Sequence, residues 1–449
     1  MKYSVRPDDI RSTLARHVLV DGFHVAIDLS KSHGSWIHDA VSGKEILDFY
    51  SYFASLPIGH NHPRLTGDRE FLDALMRAAI ANPSNSDIYT AEYAAFVRGF
   101  AELAKPPAFK YLFFVAGGAL AVENAVKTAF DWKAGRNRAA GRPAEPGQIL
   151  HFREAFHGRS GYALSLTNTD PVKVADFPRF DWPRILNPKL EFPVTPEVEA
   201  RTADLERQAV REVERAFAQN PDRIAAIIIE PIQGEGGDNH FRAEFLRQLR
   251  RLADRHDALL IFDEVQTGFG LTGKMWAFEH FGVTPDLVAF GKKAQVCGIM
   301  AGDRIDSQPD HVFRTPGRIN STWGGNLVDM VRCAKYLEVI LEETLVENAA
   351  RMGQRLLAGL EDLGSRFELV GNVRGRGLMA AFTLPTAGLR DELRRECWEQ
   401  GLATLASGPR SIRFRPCLNV ASGEIDRALE ILDTSLGKVE DCREVAEVA

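Results

Sequence analysis

The segment Asp286-Leu-Val-Ala-Phe-Gly-Lys292-Lys293 decides the fold, because it is an apolar run that ends in a lysine pair. Two earlier segments have the same form, Ile224-Ala-Ala-Ile-Ile-Ile-Glu230 and Ala258-Leu-Leu-Ile-Phe-Asp263-Glu264. An apolar run without polar alternation is typical of a strand covered on both faces, as in a parallel sheet with helices above and below. Ligands of such sheets bind beyond the carboxyl ends of the strands. The charged residues at the three strand ends are therefore predicted to converge on one ligand.

The two residue types at these strand ends suit a particular kind of chemistry. Adjacent side chains of a strand point to opposite faces, so only one of Asp263 and Glu264 can face the ligand, and the same holds for Lys292 and Lys293. Chemistry that needs both an amine and a carboxylate includes a pyridoxal phosphate (PLP) site. There the lysine binds the cofactor covalently and the acid keeps the pyridine nitrogen protonated.

The bulk properties indicate an ordinary globular enzyme. The 449 residues are too many for one simple core, so we expect two or three domains. A net charge of -6 gives no sign of a nucleic-acid partner. The segment Met1–Pro7 lacks the apolar stretch of a signal peptide, and no apolar run approaches the roughly 20 residues of a membrane helix. We therefore expect a cytoplasmic protein with no membrane partner.

Cysteine and histidine spacing does not indicate a metal. The 5 cysteines are odd in number and scattered, which is typical of reduced thiols. His60 and His62 stand close together, but no further cluster of metal ligands follows them. We predict no metal site.

Apolar runs and amphipathic patterns alternate through the middle of the chain, which predicts an α/β fold with a doubly wound, mostly parallel sheet. A long helix over Leu327–Val346 is predicted to leave this sheet. Beyond it, Val373–Phe382 and Ser411–Pro416 are predicted strands of a second, α+β unit, whereas 136–147 is a predicted surface loop.

Two further motifs suit anionic ligands. In Val115-Ala-Gly117-Gly118-Ala119, glycines lie between a strand and a helix, so the helix N-terminus could bind a phosphate at Gly118 and Ala119, although a tight turn explains the glycines about as well. Arg159 follows Phe156-His-Gly158, where an aromatic could stack on a planar ring and a guanidinium could bind a carboxylate. Arg413 alternates with Arg415, so one of the two is predicted to face inward.

Together these motifs resemble the class III aminotransferases, which are fold-type I PLP enzymes, over about Asp21 to Arg427. The matching landmarks are Gly59-His60 with Pro63, Gly118–Glu123, Phe156-His157-Gly158, Glu230–Glu235, Asp263–Gln266, Gly291-Lys292 and Ser321–Asn326. The resemblance implies a large domain at 67–330 with a mostly parallel sheet. It also implies a smaller α+β domain built from the N-terminal segment 1–66 and the C-terminal segment 331–449.

The resemblance also implies the roles of individual residues around PLP. Lys292 would form the Schiff base and Asp263 would pair with the pyridine nitrogen, while Lys293 would face outward. The other implied cofactor contacts are Gln266 on the phenolic oxygen, Phe156 stacked on the ring, Gly118 and Ala119 on the phosphate, and Thr322 reaching in from a second subunit. The last contact implies a homodimer with shared active sites.

The segments Asn82–Asp87, Ala155–Asn168 and Phe290–Gly298 are most similar to the subgroup that moves the ε-amino group of L-lysine to 2-oxoglutarate. This likeness implies that Arg159 binds the distal carboxylate and Arg413 the α-carboxylate of 2-oxoglutarate. Glu235 would neutralise Arg413 while lysine is bound. The expected products are L-2-aminoadipate 6-semialdehyde, which cyclises to a piperideine carboxylate, and L-glutamate.

Three other functions stay open at this point. An ω-aminotransferase for ornithine or 4-aminobutyrate would use the same two arginines to bind the carboxylates of its substrates, but its amine substrate would be shorter. A PLP aminomutase or epimerase would need no 2-oxoglutarate. A catalytically silent protein with the same fold would have lost the strand-end lysine or acid, and both are present.

Overall fold

A computed structural model describes residues 3–145 and 147–448 of the chain. The strands are β1 (Trp36–His38), β2 (Glu45–Asp48), β3 (Phe109–Val115), β4 (Gln148–Phe152), β5 (Arg184–Ile185), β6 (Ile224–Ile229), β7 (Ile232–Gln233), β8 (Asn239–His240), β9 (Leu259–Glu264), β10 (Leu287–Phe290), β11 (Cys297–Gly302), β12 (Gly371–Arg376), β13 (Met379–Thr383), β14 (Leu402–Ala403), β15 (Leu405–Ser407) and β16 (Ser411–Phe414). The helices are α1 (Ile10–Ala15), α2 (Ser51–Ala54), α3 (Pro63–Thr66), α4 (Arg69–Ala81), α5 (Ala91–Leu103), α6 (Gly118–Ala139), α7 (Gly161–Leu166), α8 (Pro196–Gln219), α9 (Ala243–Arg255), α10 (Leu327–Glu342), α11 (Leu345–Arg366), α12 (Ala387–Glu399) and α13 (Ser422–Val448).

The large sheet has seven strands in the order β3-β11-β10-β9-β6-β4-β5. The pairs β10 with β9, β9 with β6, β6 with β4 and β4 with β5 are parallel. Only β11 runs against its neighbours, β10 and β3. The predicted mostly parallel α/β sheet is confirmed.

The central strands are buried on both faces because their side chains supply two separate cores. Leu260 and Phe262 of β9 belong to one core, and the alternating Leu259 and Ile261 belong to the other. Helix α6 packs on the second face, and α9 on the first. This two-sided cover explains the continuous apolar runs, and it leaves the carboxyl ends of β6, β9 and β10 side by side at one edge.

Two smaller sheets lie outside the large one, and the first of them joins the start of the chain to its C-terminal part. One has the order β1-β2-β14, in which β14 from the C-terminal part pairs with β2. The other has the order β12-β13-β16-β15 and carries Arg413. The domain limits at 66 and 330 stay a prediction, and α10 runs across the second of them.

Three predicted elements were wrong in their extent. The helix predicted over Leu327–Val346 ends at Glu342, because Thr344 adopts a left-handed φ of 51° before α11 begins. The run Val373–Phe382 is a hairpin of two strands, which turns at Gly377. The predicted loop 136–147 begins as the last turn of α6, which continues to residue 139.

The glycine at that hairpin turn has a steric reason. Gly377 has a φ of 56°, and a Cβ there would lie 2.3 Å from the carbonyl carbon of Thr272. Any larger residue would push the hairpin away from the loop that follows β9. The predicted single strand failed because this close approach is a tertiary contact with no local signal.

No helix in the described part of the chain is long and apolar enough to cross a membrane. Within the same residues, no group of three or more histidine, cysteine or acidic side chains is arranged to hold a metal ion. All five cysteines, the exposed Cys442 among them, are free thiols.

Candidate active site

Lys292 lies where β10 ends at the sheet edge. After Gly291, Lys292 takes a left-handed φ of 47° and starts a single 3-10 turn. Its side chain lines a cavity of about 650 Å³ and has no hydrogen-bond partner among the described residues. Burial lowers the pKa of Lys292 to about 8, and the neighbouring Arg413 cation acts in the same direction. Lys292 is therefore an amine close to nucleophilic competence.

Lys293 does not face outward, so that prediction was wrong. Its side chain is 1% exposed, and Nζ donates to the carbonyl oxygen of Leu56 at 2.9 Å. The strand has already ended at Phe290, so strand alternation does not set the direction of either lysine. Burial lowers the pKa of Lys293 to about 8 as well. The two lysines differ in the position of the amine: that of Lys292 lines the cavity, whereas that of Lys293 is hydrogen-bonded to a main-chain carbonyl group.

The segment that Lys293 holds is itself strained. Ser51, Tyr52, Phe53 and Ala54 form α2 as a left-handed turn, with φ between 41° and 69°. Each residue in this conformation costs about 1–2 kcal/mol. Asp48 Oδ1 fixes the turn by accepting the N–H groups of residues 50 and 51. Such strain is typical of functional sites, and the next residue, Ser55, lines the cavity.

Asp263 lies on β9, beside Lys292. Its Oδ2 is 2.7 Å from His157 Nδ1, and its Oδ1 accepts the N–H of Val265 at 3.0 Å. Both Asp263 and His157 are buried and both line the cavity. Sequence reasoning quoted His157 in a motif but gave it no role, because its contact with Asp263 spans more than a hundred residues. The aspartate is thus held in one orientation with a carboxylate edge at the cavity.

Glu264, the next residue, points away from the cavity as strand alternation predicts. Its carboxylate accepts the N–H groups of Ala277 and Phe278 and the hydroxyl of Thr267. Burial raises the pKa of Glu264 to about 7. Of the two adjacent acids, Asp263 alone lines the cavity.

Glu230, at the end of β6, connects two loops of the site. Its Oε1 accepts the N–H of Phe156 at 2.9 Å, and its Oε2 accepts the N–H of Gly234 at 3.0 Å. The first loop carries the aromatic ring that lines the cavity, and the second carries Glu235. Burial raises the pKa of Glu230 to about 7. Glu230 therefore positions both Phe156 at the cavity and the loop that carries Glu235.

The N-terminus of α6 opens onto the cavity and fits a phosphate. Gly117 has a φ of 104°, and Gly118 and Ala119 line the cavity at the first turn of a 22-residue helix. A Cβ on Gly118 would lie 2.9 Å from Val265, so glycine keeps the loop close to β9. The first N–H groups of a helix have no partner within it, and the helix dipole favours an anion there.

Gln266 supplies a donor on another side of the cavity. Its Oε1 accepts from Arg413 Nη1 at 3.1 Å and from Arg415 Nη2 at 3.1 Å. The two guanidinium groups fix the amide orientation, and Nε2 has no partner among the described residues. The cavity therefore offers an amine, a carboxylate, an aromatic ring, an amide N–H and a helix N-terminus, which together fit PLP.

Arg413 and Arg415 are both buried, so the prediction that one faces outward was wrong. Arg415 lies one residue beyond the end of β16, where strand alternation no longer applies. Its guanidinium pairs with Asp238 and leaves Arg413 to Glu235. Arg413 Nη2 donates to Glu235 Oε2 at 2.8 Å, while Arg413 Nε has no hydrogen-bond partner among the described residues.

Glu235 has a second cationic partner that sequence reasoning missed. Lys173 Nζ donates to Glu235 Oε1 at 2.5 Å and lies 5.6 Å from the centre of the Phe156 ring. Burial alone would raise the pKa of Glu235, but Arg413 and Lys173 outweigh it and hold that pKa below its usual value. The stretch around Lys173 is a polar turn with no sequence signal beyond its charge. We call Lys173, Glu235 and Arg413 the carboxylate cluster.

The remaining two predicted residues lie farther out. Arg159 is exposed, lines the cavity and has no polar partner among the described residues. Thr322 is exposed and is absent from the residues that line the cavity of its own chain, within the part of the sequence described. Its carbonyl oxygen accepts from Ser84 Oγ, which ties its loop to the segment before α5. Glu235 and Arg413 are also absent from the lining within the described residues, but the hydrogen bond of Arg413 to Gln266 joins them to it. One chain thus brings together every predicted site residue except Thr322.

Comparison with known proteins agrees with this geometry. The family model for class-III aminotransferases matches residues 19–436. An L-lysine-epsilon aminotransferase of Mycobacterium tuberculosis is 52% identical over 436 residues, or 96% of each chain, and one of Streptomyces clavuligerus is 48% identical over 97% of this chain and 96% of that one. A solved structure, the lysine aminotransferase of M. tuberculosis in the internal aldimine form, matches with a TM-score of 0.95 and 51% identity, covering 97% of this chain and 100% of that one.

Proposed function

The chain belongs to the class-III aminotransferases, and we propose that it is an L-lysine 6-transaminase that uses PLP. It transfers the ε-amino group of L-lysine to 2-oxoglutarate and forms L-glutamate. The other product is L-2-aminoadipate 6-semialdehyde, which cyclises to piperideine-6-carboxylate. The observation that carries the proposal is 48–52% identity, over nearly the full length of both chains, to proteins named for this reaction.

The strand-end residues serve the cofactor. PLP supplies a carbonyl group to which an amine can be joined and a ring that accepts an electron pair from the substrate carbon. Lys292 Nζ would hold the cofactor and, as general base and acid, would carry the proton that leaves Cε of lysine. Asp263, oriented by His157, holds the proton on the pyridine nitrogen. Gln266 Nε2 would donate to the phenolic oxygen, and Phe156 would cover the ring.

The two arginines explain how one site accepts two substrates in turn. Lysine reacts through its ε-amine, so its α-carboxylate lies several bonds from the cofactor, where the exposed Arg159 can bind it. 2-Oxoglutarate reacts next to a carboxylate, which needs a cation close to the cofactor. Arg413 is that cation, since it is 3% exposed and its Nε–H has no partner in the described part of the chain. With lysine bound, Arg413 would face an apolar chain, and Glu235 neutralises it there.

The position of Thr322 supports a homodimer with shared active sites. The next residue, Trp323, is 48% exposed, and Tyr89, a few residues after the Ser84 that bonds to this loop, is 77% exposed. Large apolar side chains that are exposed together mark an interaction surface. In the dimer Thr322 reaches the phosphate in the partner's cavity. We place the enzyme in the cytoplasm.

The test is the steady-state rate of glutamate formation by purified enzyme with PLP and 2-oxoglutarate. L-Lysine, L-ornithine and 4-aminobutyrate are compared as amine donors, and the semialdehyde is trapped to identify the reacting amine. Lysine should give the highest kcat/KM. A higher value with ornithine or 4-aminobutyrate would overturn the lysine assignment, and product without any need for 2-oxoglutarate would indicate an aminomutase or epimerase.

A further inference from the structure

Lys173 is a charged residue beside the cavity that the proposed reaction leaves without a task. It lies on the short turn Pro171–Lys173, whose start is fixed by Asp170 accepting the N–H of Val172 at 3.1 Å. Its side chain is only 13% exposed, packs over Phe156 and ends at Glu235. A lysine enclosed to this degree needs a paired anion, and Glu235 is the anion it has.

The two oxygens of Glu235 are divided between two cations from different parts of the chain. Oε1 accepts from Lys173, on the turn after α7, and Oε2 accepts from Arg413, on β16. Lys173 can therefore keep its hydrogen bond when Glu235 leaves Arg413. The neighbouring Arg415 is paired separately with Asp238, so it does not compete for Glu235.

Counting charges gives the direction of the effect. The carboxylate cluster holds two cations and one carboxylate, so one positive charge is in excess while lysine is bound. When a carboxylate of 2-oxoglutarate binds Arg413, the cluster has two cations and two carboxylates, and each carboxylate has its own partner. Without Lys173, opening the Glu235–Arg413 pair would leave Glu235 half-buried, unpaired and close to the incoming carboxylate, which is unfavourable.

We propose that Lys173 is a positioning residue that retains the Glu235 carboxylate when Arg413 is released to bind the 2-oxo acid. Lys173 thus favours the half-reaction with 2-oxoglutarate and leaves the half-reaction with the substrate L-lysine largely unaffected. This inference rests on the proposed function for the order of substrates. The contacts that carry it are those of Glu235 with Lys173 and Arg413.

The test is the binding of glutarate, an unreactive dicarboxylate, to the holoenzyme by titration calorimetry. Lys173→Met removes the charge and keeps the packing over Phe156, so the Kd of glutarate should rise about tenfold, the scale of one charge-assisted hydrogen bond. Lys173→Arg should restore the Kd to within about twofold. Lys110→Met, which removes an exposed lysine paired with Asp306 at 2.7 Å, is the matched control and should not change it.

Single-turnover rates then separate the two stages. In Lys173→Met, the half-reaction with L-lysine should stay within about twofold, and the half-reaction with 2-oxoglutarate should need about tenfold more substrate to reach half its maximal rate. Equal losses in both half-reactions, or an unchanged Kd for glutarate, would overturn the proposal. If Lys173→Met does not fold, Lys173→Gln replaces it in the same comparison.

A double-mutant cycle with Glu235→Gln decides whether Lys173 acts through Glu235. In the Glu235→Gln background, Lys173→Met should change the Kd of glutarate by about twofold or less, since there is no carboxylate to retain. An equal tenfold loss in both backgrounds would mean that Lys173 attracts the substrate directly, and the proposal would be wrong. The calorimetry needs no turnover, so it tests Lys173 even if lysine proves not to be the amine donor.

Discussion

The strand-end pair, Lys292 and Asp263, lines the cavity, whereas the carboxylate cluster lies next to it, against the lining residues Phe156 and Gln266, and is built differently. Asp263 has fixed partners in His157 and a main-chain N–H, and Lys292 has none among the described residues. Each has one task. The carboxylate cluster, in contrast, holds two cations that share one carboxylate.

The difference shows how one site can serve two substrates. Chemistry at the cofactor is the same for both, so a rigid arrangement set by strand ends is suitable. The part that recognises the substrate must accept an apolar chain at one stage and a carboxylate at the next. Ion pairs that can exchange partners allow this change without moving the sheet. The following predictions test whether the two regions are separable.

The largest effect is expected at Lys292. Lys292→Ala removes the group that we propose binds the cofactor and carries the proton, and general acid–base catalysis alone contributes about 10²–10⁴-fold. We expect at least a 10⁴-fold loss of kcat, measured by glutamate formation. After borohydride reduction and digestion, mass spectrometry should find the cofactor on Lys292 in the wild type. Lys293→Ala is the matched control, and cofactor found on Lys293 would reverse the assignment.

A smaller loss is expected at Asp263. Asp263→Asn keeps the size and one acceptor oxygen, but it removes the charge that we propose holds the pyridine proton. Losing one preorganised electrostatic partner costs about 10²–10³-fold in kcat, and we expect a loss in this range for both half-reactions alike. The visible absorbance of the bound cofactor should shift as well. A loss confined to one half-reaction would contradict the assignment of Asp263 to the cofactor.

A still smaller effect is expected at Arg159, on the rim. Both substrates have a distal carboxylate, so Arg159→Ala should raise the KM for each by about tenfold to a hundredfold, the value of a charge-assisted pair. The kcat should change little, because Arg159 does not touch the reacting atoms. A larger rise for one substrate than for the other would show that a different group binds the second carboxylate.

The cofactor side could be predicted from sequence because its residues follow from strand order. Buried runs ending in Glu230, Asp263 and Lys292 predict a parallel sheet, and parallel strands bring their ends to one edge. Glu264 turns away as alternation requires. Strand alternation did not predict the side-chain directions of Lys293 and Arg415. Each lies beyond the end of its strand and is directed by tertiary contacts.

The carboxylate cluster could be predicted only in part. Arg413 and Glu235 followed from the family resemblance, whereas Lys173 lies on a short polar turn that carries no periodic pattern. The contact of His157 with Asp263 could not be predicted from the sequence either, since it joins a loop to a strand far along the chain. Long-range ion pairs depend on how separate segments are placed in space, which local sequence patterns do not encode.

The most direct test of the central claim is the pair of single-turnover half-reactions in Glu235→Gln. The account predicts that the half-reaction with L-lysine becomes about tenfold weaker in kcat/KM, because Arg413 is left unpaired beside an apolar chain. The half-reaction with 2-oxoglutarate should be unchanged or faster, because Arg413 is free to bind it. Equal losses in the two half-reactions would contradict the account.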